Sequence, residues 1–211
     1  MSKKIVTIIV ALIIIGGIGA YLWIHNSSDN NLENNSLDDN SSEEDSNNLN
    51  TSDMNILIAY YSYTGNTEGM AEEIQNQTQG DLFKIERATE YNDLYTEAED
   101  EINNNERPEL ASAVDNMDDY DVIFIGFPVW WDNAPAMINS FLESYDLADK
   151  VVIPFCTSSS DGIEGSMPGI RNSAKNATVL DGLRLSGSDA STDSGKEKIA
   201  SWLSGLGIFG E

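Results

Sequence analysis

The stretch that decides the fold runs from residue 56 to residue 67 and reads Ile56-Leu57-Ile58-Ala59-Tyr60-Tyr61-Ser62-Tyr63-Thr64-Gly65-Asn66-Thr67. Its first six residues form a continuous apolar run, which is the pattern of a strand buried on both faces of a parallel sheet. A helix is predicted directly afterwards, with Thr67 as its capping residue and Gly80 at its end. The loop between them therefore meets a helix N-terminus, where the helix dipole and unpaired N–H groups favour a phosphate.

Two features of this first loop restrict the kind of phosphate site. No lysine follows Gly65, which argues against a nucleoside-triphosphate P-loop, and a single glycine argues against a GxGxxG dinucleotide turn. What remains is a site for a phosphate that needs no cationic neutralisation, with an ordinary helix-capping turn as the structural alternative. The candidate ligands are Ser62, Tyr63, Thr64, Gly65, Asn66 and Thr67.

The rest of the domain alternates apolar runs with helix-like segments. Further strands are predicted at 82–85, 122–127, 151–155 and 179–185, and helices near 94–102 and at 136–145, 163–175 and 194–206. Five strands alternating with helices predict an α/β fold with a doubly wound parallel sheet. In such sheets ligands bind outside the carboxyl ends of the strands, at the topological switch point.

Two further loops follow strands at this edge. The second loop, after the third strand, holds Pro128, Val129, Trp130 and Trp131. Two tryptophans at a sheet edge are costly to expose unless they cover something flat, such as an isoalloxazine ring, although either could pack onto the following helix. The third loop, after the fourth strand, is rich in hydroxyl groups, and its candidate ligands are Thr157, Ser158, Ser159, Ser160 and Gly162.

Composition excludes several functions. Acidic residues outnumber basic ones by 36 to 11, which opposes binding to nucleic acid or to an anionic membrane surface. The single cysteine, Cys156, excludes an intrachain disulfide and reads as a small buried hydrophobic residue or as a modulator of a nearby ligand. The only histidine, His25, precedes the domain, which removes Ser-His-Asp catalysis and histidine metal sites from consideration.

The N-terminal quarter of the chain has a different composition. Residues 1–25 are predicted to form a transmembrane anchor, because residues 5–24 contain one conventionally polar side chain, that of Thr7. Lys3 and Lys4 precede the span, so the positive-inside tendency places the domain outside the cytoplasm at the cell membrane. Secretion after signal-peptide cleavage is the alternative. Residues 26–53 predict a disordered acidic tether rich in Asn and Ser, and residues 54–211 form the domain.

The first loop and the segment from Gly126 to Pro135 resemble the flavodoxin family, in its short-chain group with a Pro-Val-Trp-Trp loop. The resemblance implies a five-stranded sheet of order 2-1-3-4-5 that binds FMN. It also implies that Ser62, Thr64, Asn66 and Thr67 bind the FMN phosphate, while residues 128–131 and 157–162 flank the ribityl chain and ring. Ser159 and Ser160 depart from the paired glycines expected in the third loop.

Three functions follow as hypotheses. The first is an electron-transfer protein, monomeric or weakly dimeric, that docks to a redox partner with a basic face. The second is an FMN-dependent quinone or nitro-compound reductase using NAD(P)H, and the third is a cofactor-free interaction module. The acidic charge favours the carrier, since NAD(P)H is itself anionic and would need a basic site.

Overall fold

The protein is described here by a computed structural model, which covers residues 54–208. The predicted anchor at 1–25 and the tether at 26–53 lie outside the described residues. Within residues 54–208, no helix has both the length and the apolar character needed to cross a bilayer.

The described residues form a central sheet with helices on both faces. The strands are β1 (Ile56–Tyr60), β2 (Asp81–Lys84), β3 (Val122–Pro128), β4 (Val151–Thr157), β5 (Thr178–Val179) and β6 (Leu183–Leu185). The helices are α1 (Asn66–Thr78), α2 (Leu94–Asn103), α3 (Ala136–Glu143), α4 (Met167–Ser173) and α5 (Asp193–Gly205), and a short 3₁₀ turn spans Met117–Asp119.

The sheet confirms the predicted parallel order. Its strands run β2-β1-β3-β4-β5, and every pairing between them is parallel. The crossovers on either side of β1 diverge, so the carboxyl ends of β1 and β3 flank a topological switch point. The loops that follow β1, β3 and β4 therefore meet at one edge.

The fifth strand of the sequence prediction is wrong in one respect, because it is broken into two pieces. β5 pairs with Val151 and Val152 of β4, while β6 pairs with its last three residues. Val152 of β4 and Ser158, directly after β4, face this border, because Leu180 N donates to Val152 O and Ser158 N donates to Leu185 O. Alternate residues of a strand face the same neighbour, so Pro154, between them, also faces the border. A proline has no N–H to give to the ladder, so pairing lapses there.

Helices on both sides bury the central strands β1, β3 and β4 almost entirely, as the middle of a parallel sheet requires. Along β3, Ile123, Ile125 and Phe127 face α3 and α4, while Val122 and Phe124 face α1 and α5. The helix predicted at 163–175 is shorter in the structure, beginning at Met167. The preceding residues form a loop in which Ile163 reaches the core.

Candidate functional site

The first loop, residues 62–67, turns the chain from β1 into α1. Gly65 has a φ of 87°, a left-handed conformation that glycine adopts without steric cost. Ser62 Oγ accepts a hydrogen bond from Gly65 N at 3.1 Å, and Asn66 Nδ2 donates to Thr64 Oγ1 at 3.1 Å. Tyr63, Thr64, Gly65 and Asn66 are exposed, and no atom lies within 4 Å of where a Gly65 side chain would begin. The loop thus presents open space above a helix N-terminus.

Thr67 does not cap α1, which corrects the sequence prediction. The helix begins at Asn66 after Gly65, with no side-chain cap. Because Thr67 already lies inside the first turn, its side chain faces the protein interior and is buried. Its Oγ1 lies 2.8 Å from Thr157 Oγ1, in a buried hydrogen bond that joins the first loop to the end of β4.

The second loop, residues 128–133, contains a tight turn with unusual backbone angles. Trp130 and Asn133 exchange both backbone hydrogen bonds, at 2.8 and 2.9 Å. The residues between them, Trp131 and Asp132, have φ values of 47° and 60°. Positive φ at both central positions is the geometry of a type I′ turn, which normally selects Asn-Gly. A tryptophan and an aspartate here are strained, at about 1–2 kcal/mol per residue.

Trp130 forms the centre of an aromatic cluster. Its ring meets the edges or faces of Tyr61, Tyr63 and Tyr91 at centroid distances of 5.5, 6.2 and 6.3 Å. Trp131 lies 6.4 Å from Trp130 and 6.4 Å from Tyr95. Trp130 thus packs the second loop against Tyr63 of the first loop.

The exposed aromatic surface is concentrated at the same place. Among the described residues, the large hydrophobic side chains that remain exposed are Tyr63, Tyr95 and Trp131, at 60, 75 and 41%. All three belong to the cluster around Trp130. An apolar surface confined to one edge of an acidic domain is the usual mark of a binding region.

The third loop, residues 157–162, is organised by Ser158. Its buried Oγ accepts hydrogen bonds from Ser160 N at 3.3 Å and from Asp161 N at 2.9 Å. Arg184 Nη2 donates to the Ser158 carbonyl oxygen at 2.9 Å. Ser159 and Ser160 are exposed, and neither is among the non-glycine residues with positive φ in the described part of the chain. This backbone conformation therefore does not require the paired glycines expected from the resemblance.

The structure brings all three loops together. Thr67 and Thr157 connect the first to the third, and Trp130 connects the second to the first. Val129 N donates to Thr157 O at 3.0 Å, which connects the second to the third. A fourth segment, around Gly187, also lies next to the first loop, which the sequence did not indicate. A Cβ atom at Gly187 would lie 2.7 Å from Asn66 Nδ2.

Sequence reasoning missed two arginines near this edge. Arg87 lies 3.9 Å above the Tyr91 ring, and its Nη2 is 2.7 Å from Glu101 Oε1. Arg184 lies on β6 and holds the third loop through the Ser158 carbonyl. The sequence did contain an indication of their role. Both are among the few basic residues of the domain, and both lie near the carboxyl end of a predicted strand.

Burial keeps two phenols and the thiol near the site neutral at physiological pH. Burial raises the pKa of Tyr61 to about 12, and burial together with a hydrogen bond to Glu101 raises the pKa of Tyr91. Burial likewise raises the pKa of the Cys156 thiol to about 12. Cys156 lies on β4 within the core, as a small apolar residue.

The donor set fits a phosphorylated, flat cofactor such as FMN. An exposed glycine turn at a helix N-terminus offers open N–H donors for a phosphate, and exposed aromatic rings beside it offer a flat surface. The sheet order and the three loops at its carboxyl edge are those of a flavodoxin-like α/β fold. A family model described as Flavodoxin matches residues 55–205, and the chain belongs to the flavodoxin family.

Solved structures of proteins described as flavoproteins are similar to this chain. A protein described as a flavoprotein from Bacteroides eggerthii is 34% identical, with 73% of this chain and 98% of that chain covered and a TM-score of 0.65. A flavoprotein from Lactobacillus acidophilus, solved in complex with FMN, is 27% identical, with 70% and 99% covered and a TM-score of 0.56. No curated protein matches this chain.

Proposed function

We propose that this chain is an FMN-binding electron-transfer protein, tethered to the membrane by its N-terminal segment with the domain outside the cytoplasm. The observation that carries the proposal is the meeting of the first, second and third loops at the carboxyl edge of β1, β3 and β4. Membership of the flavodoxin family and the FMN complex of the Lactobacillus relative support FMN as the cofactor.

The first loop would hold the FMN phosphate. Its donors are the N–H groups at the start of α1 and the hydroxyl and amide groups of Ser62, Thr64 and Asn66. Thr67 would contribute its backbone N–H, because its hydroxyl is engaged with Thr157. The helix N-terminus supplies the positive electrostatic contribution that a lysine gives in other phosphate sites.

The second and third loops would hold the ribityl chain and the ring. Pro128, Val129, Trp130 and Trp131 form one wall, of which the exposed Trp131 ring is the part most open to a ligand. Residues 157–162 form the other, with hydroxyl groups and N–H donors at its rim. When bound, FMN accepts and donates the electrons, while the loops orient it and limit its contact with water.

Charge favours a carrier over a reductase. The domain at 54–211 holds 28 acidic and nine basic residues, a net charge of −19. Such a field opposes an anionic dinucleotide and attracts a protein with a basic docking face, and a monomer or weak dimer leaves that surface free. Arg87 and Arg184 are both engaged, with Glu101 and with the Ser158 carbonyl. A quinone or nitro-compound reductase using NAD(P)H is the second candidate.

An absorbance spectrum of the purified full chain, before and after dithionite, tests the proposal. Flavin bands that bleach on reduction are expected, and colourless protein that fails to bind added FMN would refute the cofactor. Steady oxidation of NADH or NADPH in the presence of a quinone would favour the reductase instead.

Protease treatment of intact cells tests the location. Loss of the domain from a cell-bound chain is expected, whereas protection in intact cells would contradict an outside position. Recovery of the chain from the medium would support the alternative, secretion after signal-peptide cleavage.

A further inference from the structure

A cleft of about 560 Å³ opens on the β2 side of the first loop. Its volume lies in the range of small-molecule sites. Ser62 and Tyr63 of the first loop border it, together with Tyr61 and residues from the end of β2 through the start of α2. Met137 of α3 also lines it. No residue of the third loop lines it, so among the described residues this space is distinct from that between the second and third loops.

Three tyrosines give the cleft flat apolar walls. Tyr61 and Tyr91 are half-buried, and Tyr63 is largely exposed. All three rings also contact the Trp130 ring at the centre of the aromatic cluster. Leu94, at the start of α2, adds an aliphatic contact to the lining. An aromatic ring entering the cleft would meet surfaces suited to offset or edge-to-face stacking.

Arg87 supplies the polar feature of the cleft. Its Nη2 pairs with Glu101 at 2.7 Å, and Glu101 is buried and also accepts a hydrogen bond from Tyr91 Oη at 2.8 Å. The positive charge of Arg87 is therefore already balanced. Its Nε and Nη1 are buried and make no hydrogen bond within the described residues, since Glu97 is 3.8 Å from Nη1. Buried donors without acceptors are unfavourable, and an oxygen acceptor beside them would relieve that cost.

The surrounding charges select against an anion. Lys84, the other basic residue of the lining, lies 3.5 Å from Glu68. Glu86 and Glu90 are exposed at the rim. A negatively charged ligand would find no unpaired cation here and would be repelled by the acidic domain.

We propose that this cleft binds a neutral, flat aromatic molecule that carries a carbonyl oxygen, with its ring against the tyrosines and its oxygen at Arg87. This site goes beyond the proposed flavin site and does not require FMN. Its occupant would lie beside the first loop, in a cleft that no described residue of the third loop lines.

Coumarin, a neutral planar carbonyl compound, is a suitable probe for the full chain labelled with ¹³C at methionine methyl groups. Met137 is fully buried and contributes to the cleft lining from the core side, while Met70 is buried against the other face of the sheet. Saturable shifts of the Met137 signal, with Met70 unchanged, are expected. Shifts of both signals, or of neither, overturn the proposal.

Two related compounds test separately whether the carbonyl oxygen and the neutral charge of the ligand matter. Naphthalene has no acceptor and coumarin-3-carboxylate carries a negative charge, so both should bind at least about fivefold more weakly than coumarin if the oxygen and the neutrality matter. Equal binding of naphthalene would remove the role of Arg87, and preferential binding of the carboxylate would overturn the charge argument.

Variants locate the site. Leu94→Trp fills the cleft and should abolish the Met137 shift, whereas Glu99→Trp places the same ring on an exposed position of α2 outside the lining. Arg87→Lys keeps the charge opposite Glu101 and should weaken coumarin about fivefold, because the planar fork is lost. An unchanged titration in both Leu94→Trp and Arg87→Lys contradicts the assignment, and the Met70 signal reports folding in each.

Adding FMN distinguishes the two sites. The Met137 shifts should persist at saturating FMN, and displacement of coumarin by FMN would mean that the probe occupied the flavin site. If FMN fails to bind while coumarin still shifts Met137 alone, the proposed function fails and the cleft assignment stands.

Discussion

Thr67 Oγ1 and Thr157 Oγ1 lie 2.8 Å apart in the interior, and this pair fastens the start of α1 to the end of β4. Both side chains are buried. Each hydroxyl therefore depends on the other for its hydrogen bond, and the first loop and the third loop are held at a fixed separation.

Removing one of these two hydroxyls should cost more than removing both. Thr67→Val or Thr157→Val leaves a buried hydroxyl without a partner, which lowers the free energy of unfolding by about 1–3 kcal/mol. The double variant replaces both groups with apolar ones and should recover much of the loss. Urea unfolding of the four proteins gives the coupling energy, and strict additivity would contradict the pairing.

Gly65 should tolerate alanine poorly in spite of the open space around it. Its φ of 87° is unfavourable for any residue with a Cβ atom, so Gly65→Ala should lower the free energy of unfolding by about 1 kcal/mol and weaken FMN binding. Gly69→Ala is the matched control, because Gly69 has equally open space but lies inside α1 with an ordinary φ. That substitution should stabilise the protein by about 0.5–1 kcal/mol. Chemical unfolding of both variants measures the contrast, and equal effects would remove the conformational argument.

Asp132→Gly should stabilise the second loop. Asp132 has a φ of 60° in the second central position of a type I′ turn, where glycine is the preferred residue. We expect the free energy of unfolding to rise by up to about 1 kcal/mol. Asp115→Gly serves as the control, since Asp115 is exposed and does not have a positive φ. A melting temperature that falls equally in both would show that the turn is not strained.

Thr64→Ala should weaken FMN about tenfold or more while leaving riboflavin unaffected. Thr64 is exposed on the first loop, where we propose that its hydroxyl binds the phosphate. A hydrogen bond to a charged group is worth about 1.5–3 kcal/mol. Flavin fluorescence titration with both ligands separates the phosphate contribution from that of the ring. Unchanged FMN affinity would refute a role for Thr64 in phosphate binding.

The ion pair between Glu143 and Arg107 should contribute to stability only above acid pH. Hydrogen bonds from Arg107, at 2.8 and 2.9 Å, and from Ser173 hold the pKa of Glu143 below its usual range. A carboxyl group whose pKa is lower in the folded state than in the unfolded state stabilises the fold at pH values above the unfolded-state pKa. This contribution is lost as the pH falls through the folded-state pKa. Glu143→Gln should therefore lower the melting temperature at pH 7 and have a smaller effect near pH 3. A difference that stays constant with pH would contradict this linkage.

The fold could be predicted from the sequence because its strands are continuous apolar runs. Ile56–Tyr61 and Val122–Phe127 are too hydrophobic for one-sided burial, and the helices between them dictate parallel pairing. The break between β5 and β6 was not anticipated, because its cause, Pro154, lies on the neighbouring strand. The sequence shows a proline inside the predicted strand at 151–155. Its missing N–H, however, affects the strand that pairs with it and not the strand that contains it.

The loops could be placed from the sequence, but their internal contacts could not. The hydroxyl of Thr67 was read as a helix cap because its type favours that position, whereas Gly65 takes the position and turns Thr67 inward. The positive φ of Trp131 follows from backbone pairing between Trp130 and Asn133, which no residue preference indicates. Arg87 was missed because its partner Glu101 is a long-range contact on α2.

The proline break in the sheet also limits edge-to-edge strand pairing with another molecule. β5 and β6 offer two and three residues along that border, so neither piece presents enough unpaired backbone groups to recruit a strand from another molecule. On the opposite border, β2 is four residues long, begins with the exposed Asp81 and ends with the exposed Lys84. Both borders of the sheet are thus poor templates for aggregation.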